Sequence, residues 1–421
     1  MKNYKITNSV FVNLILASIV PFLIWGPFFP DLIVSVSSLF FLYYVFKKKE
    51  YFYFFNIPLT IFFIFCIYCI LLSLFIADNI LLSFESSLFY FRIGIFSCLI
   101  WYLVDKDKNI IIYFYYVLIL CFLALIIDGY IQFFTGQNLL GFEKAFNGRI
   151  SSFFGDELIM GSYLSRLFPL FFALFTFKQK NKFEIYLVGL LFILIEILVF
   201  MSGERTSFLF LNLSIIFIIL LSKNYRKLKI TIFSTSIICL IFLSLYSPNL
   251  TNRMIKSPIE TIGFFDGSKK LTIFTLEHES LFKTAYNMFK DKPILGHGPK
   301  MFRIKCKDEK YATGITPCMT HPHNFYIQLL AETGILGFLI LFSGLFYVIY
   351  IALIQFKSII LKQKRPLTDY QVCLLSGILI TVWPISPNGN FFNNWLMIVY
   401  SLPLGFYLQS IYSKDNKKKE L

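Results

Sequence analysis

Apolar runs about as long as a lipid bilayer is thick recur along the whole chain, and they leave few alternatives for its fold. A helix needs about 20 apolar residues to cross the hydrocarbon core of a membrane. Hydrophobic residues make up 57% of the 421 residues, and charged residues only 15%. We therefore predict an all-α polytopic membrane protein of about 12 transmembrane helices, at 9–26, 28–46, 57–76, 84–104, 109–128, 160–177, 183–201, 206–221, 230–247, 333–356, 369–388 and 393–412.

The basic residues predict how these helices are oriented. The net charge of +15 would also suit a nucleic-acid-binding protein, but the lysines stand in short clusters between apolar runs, so we predict no nucleic-acid partner. With the N-terminus inside, 22 Lys and Arg fall in cytoplasmic segments and 3 in short external segments. Both termini are then cytoplasmic. The long interval 248–325 is external, and its own 12 Lys and Arg do not oppose this, because long segments cross regardless of charge.

This orientation divides the chain into three parts. Residues 1–247 hold transmembrane helices 1–9, residues 248–325 form one large external loop subdomain between helices 9 and 10, and residues 326–421 hold helices 10–12. Within the loop, apolar residues recur at helical spacing over 279–290. We predict an amphipathic helix there, lying on the bilayer or on the helix bundle.

The histidines mark the first place to look for proton chemistry. All four lie within 46 residues, at His278, His297, His321 and His323. Imidazole titrates near neutral pH and is the commonest general base. His321 and His323 are two residues apart, so an extended backbone would put both rings on one side. One of them could act as a general base and the other as a positioning group or a capping residue, just before a helix that we expect to begin near Asn324.

Two of the eight cysteines, Cys306 and Cys318, lie in the polar loop, whereas the other six lie in apolar runs. In an oxidising external compartment these two are disulfide candidates, and such a bridge would stabilise the connector by about 3 kcal/mol. Together with the histidines they also offer nitrogen and sulfur ligands for a metal. Because no recognised ligand spacing is present, we predict no metal and no cofactor.

Two arginines lie in external polar segments. Arg205 lies at the membrane boundary in the turn 202–206, where its five donors suit phosphate oxygens and the start of the next helix adds positive potential. Arg149 lies in a glycine-flanked loop and has the same potential. The alternative for both is snorkelling at the lipid headgroups. Four charged residues inside apolar runs are expected to have structural partners: Glu85, Arg92, Arg166 and Glu196.

Several motifs together resemble the family of bacterial O-antigen ligases and O-antigen polymerases. The resemblance covers most of the chain, and the His-Asn motif at the end of a large outer loop is its most specific part. The motifs are His323-Asn324-Phe325-Tyr326 with Leu329, Glu332, Gly334 and Gly337; Asp291 to Gly298; Ser202-Gly203-Glu204-Arg205; and Gly148-Arg149 to Gly155.

The resemblance implies a metal-independent glycosyltransferase in the bacterial inner membrane. Such enzymes take a glycan from undecaprenyl diphosphate at the periplasmic face and transfer it to a sugar hydroxyl. We expect an O-antigen ligase, whose acceptor is the lipid A core. The alternative is an O-antigen polymerase, which extends lipid-linked repeats. A protein O-oligosaccharyltransferase, or a transporter of lipid-linked glycan, is expected less, since the chain lacks the two-half symmetry of many carriers.

The resemblance also implies roles for single residues. His323 would assist deprotonation of the acceptor, and Arg205 would hold the diphosphate, which makes these two the expected catalytic residues. The expected donor- and acceptor-binding residues are Arg149, His278, Arg303, His321, Asn324 and Glu332. In one respect the chain departs from the family: it has Glu277-His278-Glu279 where many members place an arginine. Either His278 replaces that arginine as a pH-dependent cation, or Arg303 supplies the charge.

Overall fold

The computed structural model describes residues 2–177, 181–262 and 274–413, with side chains from Val10 onward. Six residues of the predicted cytoplasmic clusters, Lys178, Lys180, Lys414 and Lys417–Lys419, lie outside these ranges. Within them the regular structure is helical, apart from two isolated β-bridges that pair Gln137 with Glu143 and Ala145 with Arg149. The predicted all-α class is confirmed.

The described ranges contain 18 α-helices, and three 3₁₀ turns and one π turn join or precede some of them. The α-helices are α1 (Lys2–Ala17), α2 (Ile19–Trp25), α3 (Phe28–Lys48), α4 (Ile57–Phe75), α5 (Ile80–Leu88), α6 (Phe91–Lys106), α7 (Asn109–Thr135), α8 (Met160–Phe177), α9 (Lys182–Met201), α10 (Arg205–Leu221), α11 (Arg226–Tyr246), α12 (Pro248–Thr251), α13 (Ser257–Ile262), α14 (Leu276–Asp291), α15 (Phe302–Lys305), α16 (Phe325–Ile360), α17 (Asp369–Thr381) and α18 (Asn394–Tyr412). The 3₁₀ turns are Tyr51–Phe54, Phe146–Gly148 and Ser152–Phe154, and the π turn is Asn252–Lys256.

Most of the predicted spans correspond to long apolar helices. Three shorter apolar helices, Val10–Trp25, Arg205–Leu221 and Asp369–Thr381, also fall on predicted spans, and α18 covers the last one. The multi-pass character is thus confirmed, while the count of 12 and the position of the loop stay predictions. Eight described helices are long and apolar enough to cross a membrane: Phe28–Lys48, Ile57–Phe75, Ile80–Lys106, Asn109–Thr135, Met160–Phe177, Lys182–Met201, Arg226–Tyr246 and Phe325–Ile360.

One predicted span is wrong at its end, and this error shapes the site. The predicted span 369–388 stops at Thr381, because Pro384 and Pro387 lack an amide donor and hold the residues before them out of the helical conformation. The resulting loop, 382–393, leads to α18. The helix that contains the predicted span 333–356 begins at Phe325, as expected for a start near Asn324, and is kinked at Gly334, whose φ is +65°.

The centre of the bundle is α8, which is buried over 83% of its length. It packs against α17 and α10, while α6 packs against α18. By contrast, α11 and α16 are each buried over only 17% of their most apolar stretch and present apolar side chains outward. An apolar outer surface around a buried centre is what a bilayer requires of a helix bundle.

The polar loop is anchored to the kink in α16. The main-chain amides of His297 and Gly298 donate to the carbonyl oxygens of Ala331 and Glu332, at 3.1 and 2.8 Å. The approach is so close that a Cβ on Gly334 would lie 2.1 Å from the carbonyl oxygen of Ile294. Only glycine fits a backbone contact of this kind at positive φ.

The predicted amphipathic helix is α14, and its apolar face lies on protein. Leu281, Ala285 and Met288 are buried with Phe302 and Tyr311 in a small core of their own. The helix packs against α16, so of the two predicted locations it takes the helix bundle. A bond between Cys306 and Cys318 closes the connector that follows.

Candidate active site

Three of the four histidines converge at the start of α16. The ring centroid of His323 lies 4.1 Å from that of His321 and 5.6 Å from that of His278 on the first turn of α14. His297 lies apart: it is buried, and its Nε2 donates to the carbonyl oxygen of Met288 at 3.1 Å. The histidine cluster therefore joins the first turn of α14 to the start of α16, and His297 belongs to the anchor of the polar loop.

The backbone holds His323 in an uncommon conformation. Its φ is +57°, in the left-handed region, which only a surrounding structure that restrains it can maintain at a non-glycine residue. The amide of Asn388 donates to the carbonyl oxygen of His323 at 2.7 Å. The side chain of Asn324 caps α16 and donates to the carbonyl oxygens of Pro384 and Ser386. The loop 382–393 thus fixes the direction of the His323 ring.

Burial keeps these imidazoles neutral. It is the largest cause that lowers the pKa of His323, and the nearby His278 lowers it further. The pKa of His321 falls to about 3, first because of burial and then because of the charge of His323. Burial also lowers the pKa of His278, against the opposing effect of Glu277. At neutral pH each ring therefore has a nitrogen that can accept a proton.

A cavity of about 860 Å³ opens on one side of His323. We name it the arginine cavity. Its wall combines the turn before α10, the π turn and the first turn of α14, and includes Arg149, Gly203, Glu204, Arg205, Arg253, His278 and His323.

The three arginines of this cavity are held by their ε nitrogens. Arg149 Nε donates to the carbonyl oxygen of Ser202 at 3.0 Å, and Arg253 Nε donates to that of Gly203 at 2.8 Å. Arg205 Nε donates to the carbonyl oxygen of Arg253 at 2.8 Å. No described residue accepts a hydrogen bond from the terminal nitrogens of Arg149 or Arg253. Both guanidinium groups therefore retain donors for an anion in the cavity.

Gly203 and Glu204 shape the turn that carries Arg205. Both carboxylate oxygens of Glu204 accept from the first turn of α8, one from the amide of Gly161 at 2.6 Å and one from that of Ser162 at 2.9 Å. Gly203 has a φ of +67°, and a Cβ there would lie 2.9 Å from Arg149 Cγ and 3.0 Å from Arg253 Nε. The turn thus brings two arginines together across a residue that has no side chain.

A Gly203→Ala substitution is expected to destabilise the protein. The left-handed conformation alone costs alanine about 1–2 kcal/mol, and the contacts with Arg149 and Arg253 add to that cost. The measurement is the thermal unfolding temperature of the purified protein. The matched control is Gly344→Ala in α16, where the nearest atom to the new Cβ lies 3.7 Å away. Equal unfolding temperatures for the two variants would contradict this account of the turn.

A second cavity, of about 620 Å³, shares His323 with the first. We name it the asparagine cavity. His323 and Glu204 line both cavities, and the loop 382–393 supplies much of the second wall. The polar residues of that wall include Ser162, Arg166, Arg303, His321, His323, Asn388 and Asn390.

The chain matches a known protein family over part of its length. Residues 189–342 match the family model described as O-antigen ligase. This O-antigen ligase domain runs from α9 into α16 and contains Arg205, Arg253, His278 and His323. The resemblance stated above is confirmed over that range, which is about a third of the chain. The chain is a multi-pass membrane protein with a glycosyltransferase-like domain. No curated protein matches the chain.

The structure divides the predicted site residues of the O-antigen ligase domain among different places. Arg205, His278 and His323 line the arginine cavity together with Arg149, which precedes the matched range. Arg303 and His321 line the asparagine cavity. Asn324 is the helix cap described above.

Glu332 lies in the wall of neither cavity. It is fully buried, and its Oε1 accepts from the amide of Phe302 at 3.0 Å while its Oε2 accepts from Gln328 Nε2 at 3.0 Å. These bonds hold α15 and the first turns of α16 together. Among the described residues, no group of three His, Cys, Asp or Glu is arranged to hold a metal ion.

Two arginines were not predicted as site residues. Arg253 lies in the π turn that follows α11 and α12. Arg205 was selected as an arginine at the predicted external boundary of the membrane, and the same argument would have selected Arg253. Arg166 was expected to have a structural partner. No described carboxylate forms an ion pair with it, whereas Arg92 pairs with Asp31 at 2.5 Å.

Proposed function

We propose that this protein is an integral membrane glycosyltransferase of the O-antigen ligase type, which transfers a glycan from undecaprenyl diphosphate to a sugar hydroxyl. The observation that carries this proposal is the position of His323 on the wall shared by two cavities. A transferase of two large substrates needs a donor site, an acceptor site and a proton acceptor between them.

In this proposal the arginine cavity holds the diphosphate of the donor. Burial, and then the like charge of Arg253, lowers the pKa of Arg149, which means that the pair carries unfavourable positive charge. A diphosphate would relieve that repulsion and accept hydrogen bonds from the free terminal nitrogens of Arg149 and Arg253. Arg205, anchored by its Nη2 to Ser257 Oγ at 3.0 Å, adds a third positive charge. Arg253 then supplies the charge that we had expected from His278 or Arg303.

The reaction that we propose needs one base and no metal. The acceptor hydroxyl gives its proton to neutral His323 as its oxygen attacks the anomeric carbon of the donor glycan. The bond from that carbon to the diphosphate oxygen breaks, and its electron pair leaves with undecaprenyl diphosphate. The arginines stabilise the charge that develops on this leaving group. His323 later releases its proton to solvent.

We place this chemistry at the periplasmic face of the bacterial inner membrane, with both termini cytoplasmic, as the distribution of basic residues favours. The partners are the undecaprenyl-diphosphate-linked glycan, the lipid A core as acceptor, and the bilayer. Polymerisation of lipid-linked repeats is the second candidate, because it shares donor and leaving group and differs only in the acceptor. Protein O-glycosylation shares the same chemistry. Transport of a lipid-linked glycan needs no base.

The pH dependence of transfer follows from the neutral imidazole. Because the pKa of His323 is lowered, the base stays unprotonated below pH 6.5, so we expect the rate to hold at pH 6.5 and to fall only at lower pH. The measurement is kcat/KM for purified protein across the acid range. Unfolding temperatures are recorded at each pH, since stability also falls as the unfolded chain binds these protons. A fall in kcat/KM whose midpoint lies above pH 6.5 would contradict the assignment of His323 as the base.

Envelope glycolipids from cells that lack the protein test the proposed function. A gel of these lipids is compared with extracted lipid-linked glycans. For a ligase we expect long chains stranded on undecaprenyl diphosphate and bare core on lipid A. Core capped with a single repeat and no ladder would instead identify a polymerase. An unchanged profile would contradict both and favour protein glycosylation or transport.

A further inference from the structure

Three buried hydrogen-bond donors in the wall of the asparagine cavity have no partner among the described residues. They are Arg166 Nη1, Arg303 Nε and Asn388 Nδ2. Arg166 and Asn388 are each only 5% exposed. An unpaired buried donor is costly, and a native structure seldom contains several in one place without a reason. A ligand that offers acceptor oxygens to this wall would satisfy them.

Arg166 is also a buried charge that forms no ion pair with any described residue. Its guanidinium carbon lies 4.8 Å from the ring centroids of Phe210 and Tyr400, its Nε donates to Ser162 Oγ at 3.1 Å, and its Nη2 donates to Asn388 Oδ1 at 3.4 Å. These contacts orient the cation, and the carboxylate of Glu204 attracts it without forming an ion pair. A charge inside a membrane protein generally has a partner or faces an aqueous cavity, and here it faces the cavity.

Two carboxylates line this cavity as well, but neither takes the free donors. Glu204 accepts from the amides of Gly161 and Ser162 and from Ser207 Oγ at 2.8 Å, so both of its oxygens are occupied. Glu157 is exposed. The described walls of the two cavities together contain five arginines against these two carboxylates. A diphosphate in the arginine cavity would leave Arg166 and Arg303 still facing the second cavity.

We propose that the asparagine cavity binds the acceptor through an acidic group, a carboxylate or a phosphate on the acceptor glycan. Arg166 and Arg303 bind the acidic group, and Asn388 donates to one of its oxygens while its main-chain amide holds His323. The acceptor hydroxyl is thereby presented to His323 from a different cavity than the donor. This inference rests on the proposed function and adds the chemical class of the acceptor.

Acceptor glycolipid from cells that lack the protein serves as the probe. Transfer is measured with untreated acceptor, with acceptor whose carboxylates have been reduced to alcohols, and with acceptor treated with phosphatase. We expect one treatment to lower kcat/KM for the acceptor by about ten- to a hundredfold, as loss of a charged hydrogen-bonding partner implies. The treatment that does so identifies the acidic group. Equal rates with all three acceptors would overturn the proposal.

Two variants keep the test independent of folding. Asn388→Asp supplies Arg166 with an internal counter-ion of the same shape, and Arg303→Gln removes the more accessible cation. Both are expected to reduce the difference between acidic and neutral acceptors to within about threefold and to leave the donor KM unchanged. The control is Arg226→Gln, an exposed arginine at the start of α11. Undiminished acceptor preference in both variants would overturn the proposal.

A binding measurement separates this inference from the proposed function. Glucuronate, glucose 6-phosphate and glucose are titrated into the purified full chain in detergent. We expect glucuronate or glucose 6-phosphate to bind at least tenfold more tightly than glucose, and the preference to be lost in Asn388→Asp. Binding without transfer would retain the acidic site and contradict the transferase. Transfer with equal binding of all three sugars would retain the transferase and contradict the acidic site.

Discussion

A His323→Gly protein is expected to transfer glycan about 10²–10⁴-fold more slowly than the parent protein, because a positioned general base contributes a rate factor in this range. Glycine adopts the φ of +57° found at this residue without strain, so the substitution removes the imidazole and leaves the backbone undisturbed. The amide of Asn388 still has its acceptor, because the bond goes to the main-chain oxygen of residue 323. Transfer is measured with purified protein at equal amounts of folded chain.

Two companion experiments distinguish loss of the base from loss of structure. Added imidazole is expected to restore part of the rate to His323→Gly, because the vacated space adjoins both cavities. His323→Ala is expected to be less stable than His323→Gly, since alanine is strained at this φ. If His323→Gly transferred glycan at the parent rate, the assignment of His323 as the base would be wrong.

Arg253→Gln is expected to raise the KM for the lipid-linked donor by about ten- to a hundredfold, the effect of removing one charged hydrogen-bond partner from a phosphate. Glutamine retains an amide that can donate to the carbonyl oxygen of Gly203, so the turn is kept. Inorganic pyrophosphate should compete with the donor in the parent protein and much less in the variant. Arg149→Gln and Arg205→Gln are expected to act in the same direction.

The control for these variants is again Arg226→Gln, which removes an exposed charge that lines neither cavity. Combining Arg253→Gln with Arg149→Gln should be less than additive, because residues that bind one anion are coupled. An unchanged donor KM in Arg253→Gln, with pyrophosphate still competing, would show that the arginine cavity does not hold the diphosphate.

The fold could be predicted where the length of the apolar runs determines it. Runs of about 20 apolar residues leave the backbone no alternative to a helix in lipid, so nearly all predicted spans correspond to helices. The ends were less predictable. Pro384 and Pro387 end α17 early, but a hydropathy pattern averages over them. The kink of α16 at Gly334 accompanies its contacts with the loop anchor, which no local pattern contains.

The site was predictable where residue type and neighbours along the chain decide it. The cluster His278, His321 and His323 follows from its density in the sequence, and Arg205 from its place at a helix start. Contacts between distant segments decide the rest. Arg166 lies near the loop 382–393 only because α8 packs against α17, and Glu332 faces inward because the loop anchor covers it. Neither arrangement leaves a mark in a single sequence.

Reconstituted transfer with purified protein tests the central claim most directly. The protein is placed in lipid vesicles with undecaprenyl-diphosphate-linked glycan and an acceptor glycolipid, in the presence of a metal chelator. We predict that undecaprenyl diphosphate is released in step with glycosylated acceptor by the parent protein and not by His323→Gly. Lipid-linked glycan that crosses the bilayer intact, with no diphosphate released and no product formed, would contradict the account.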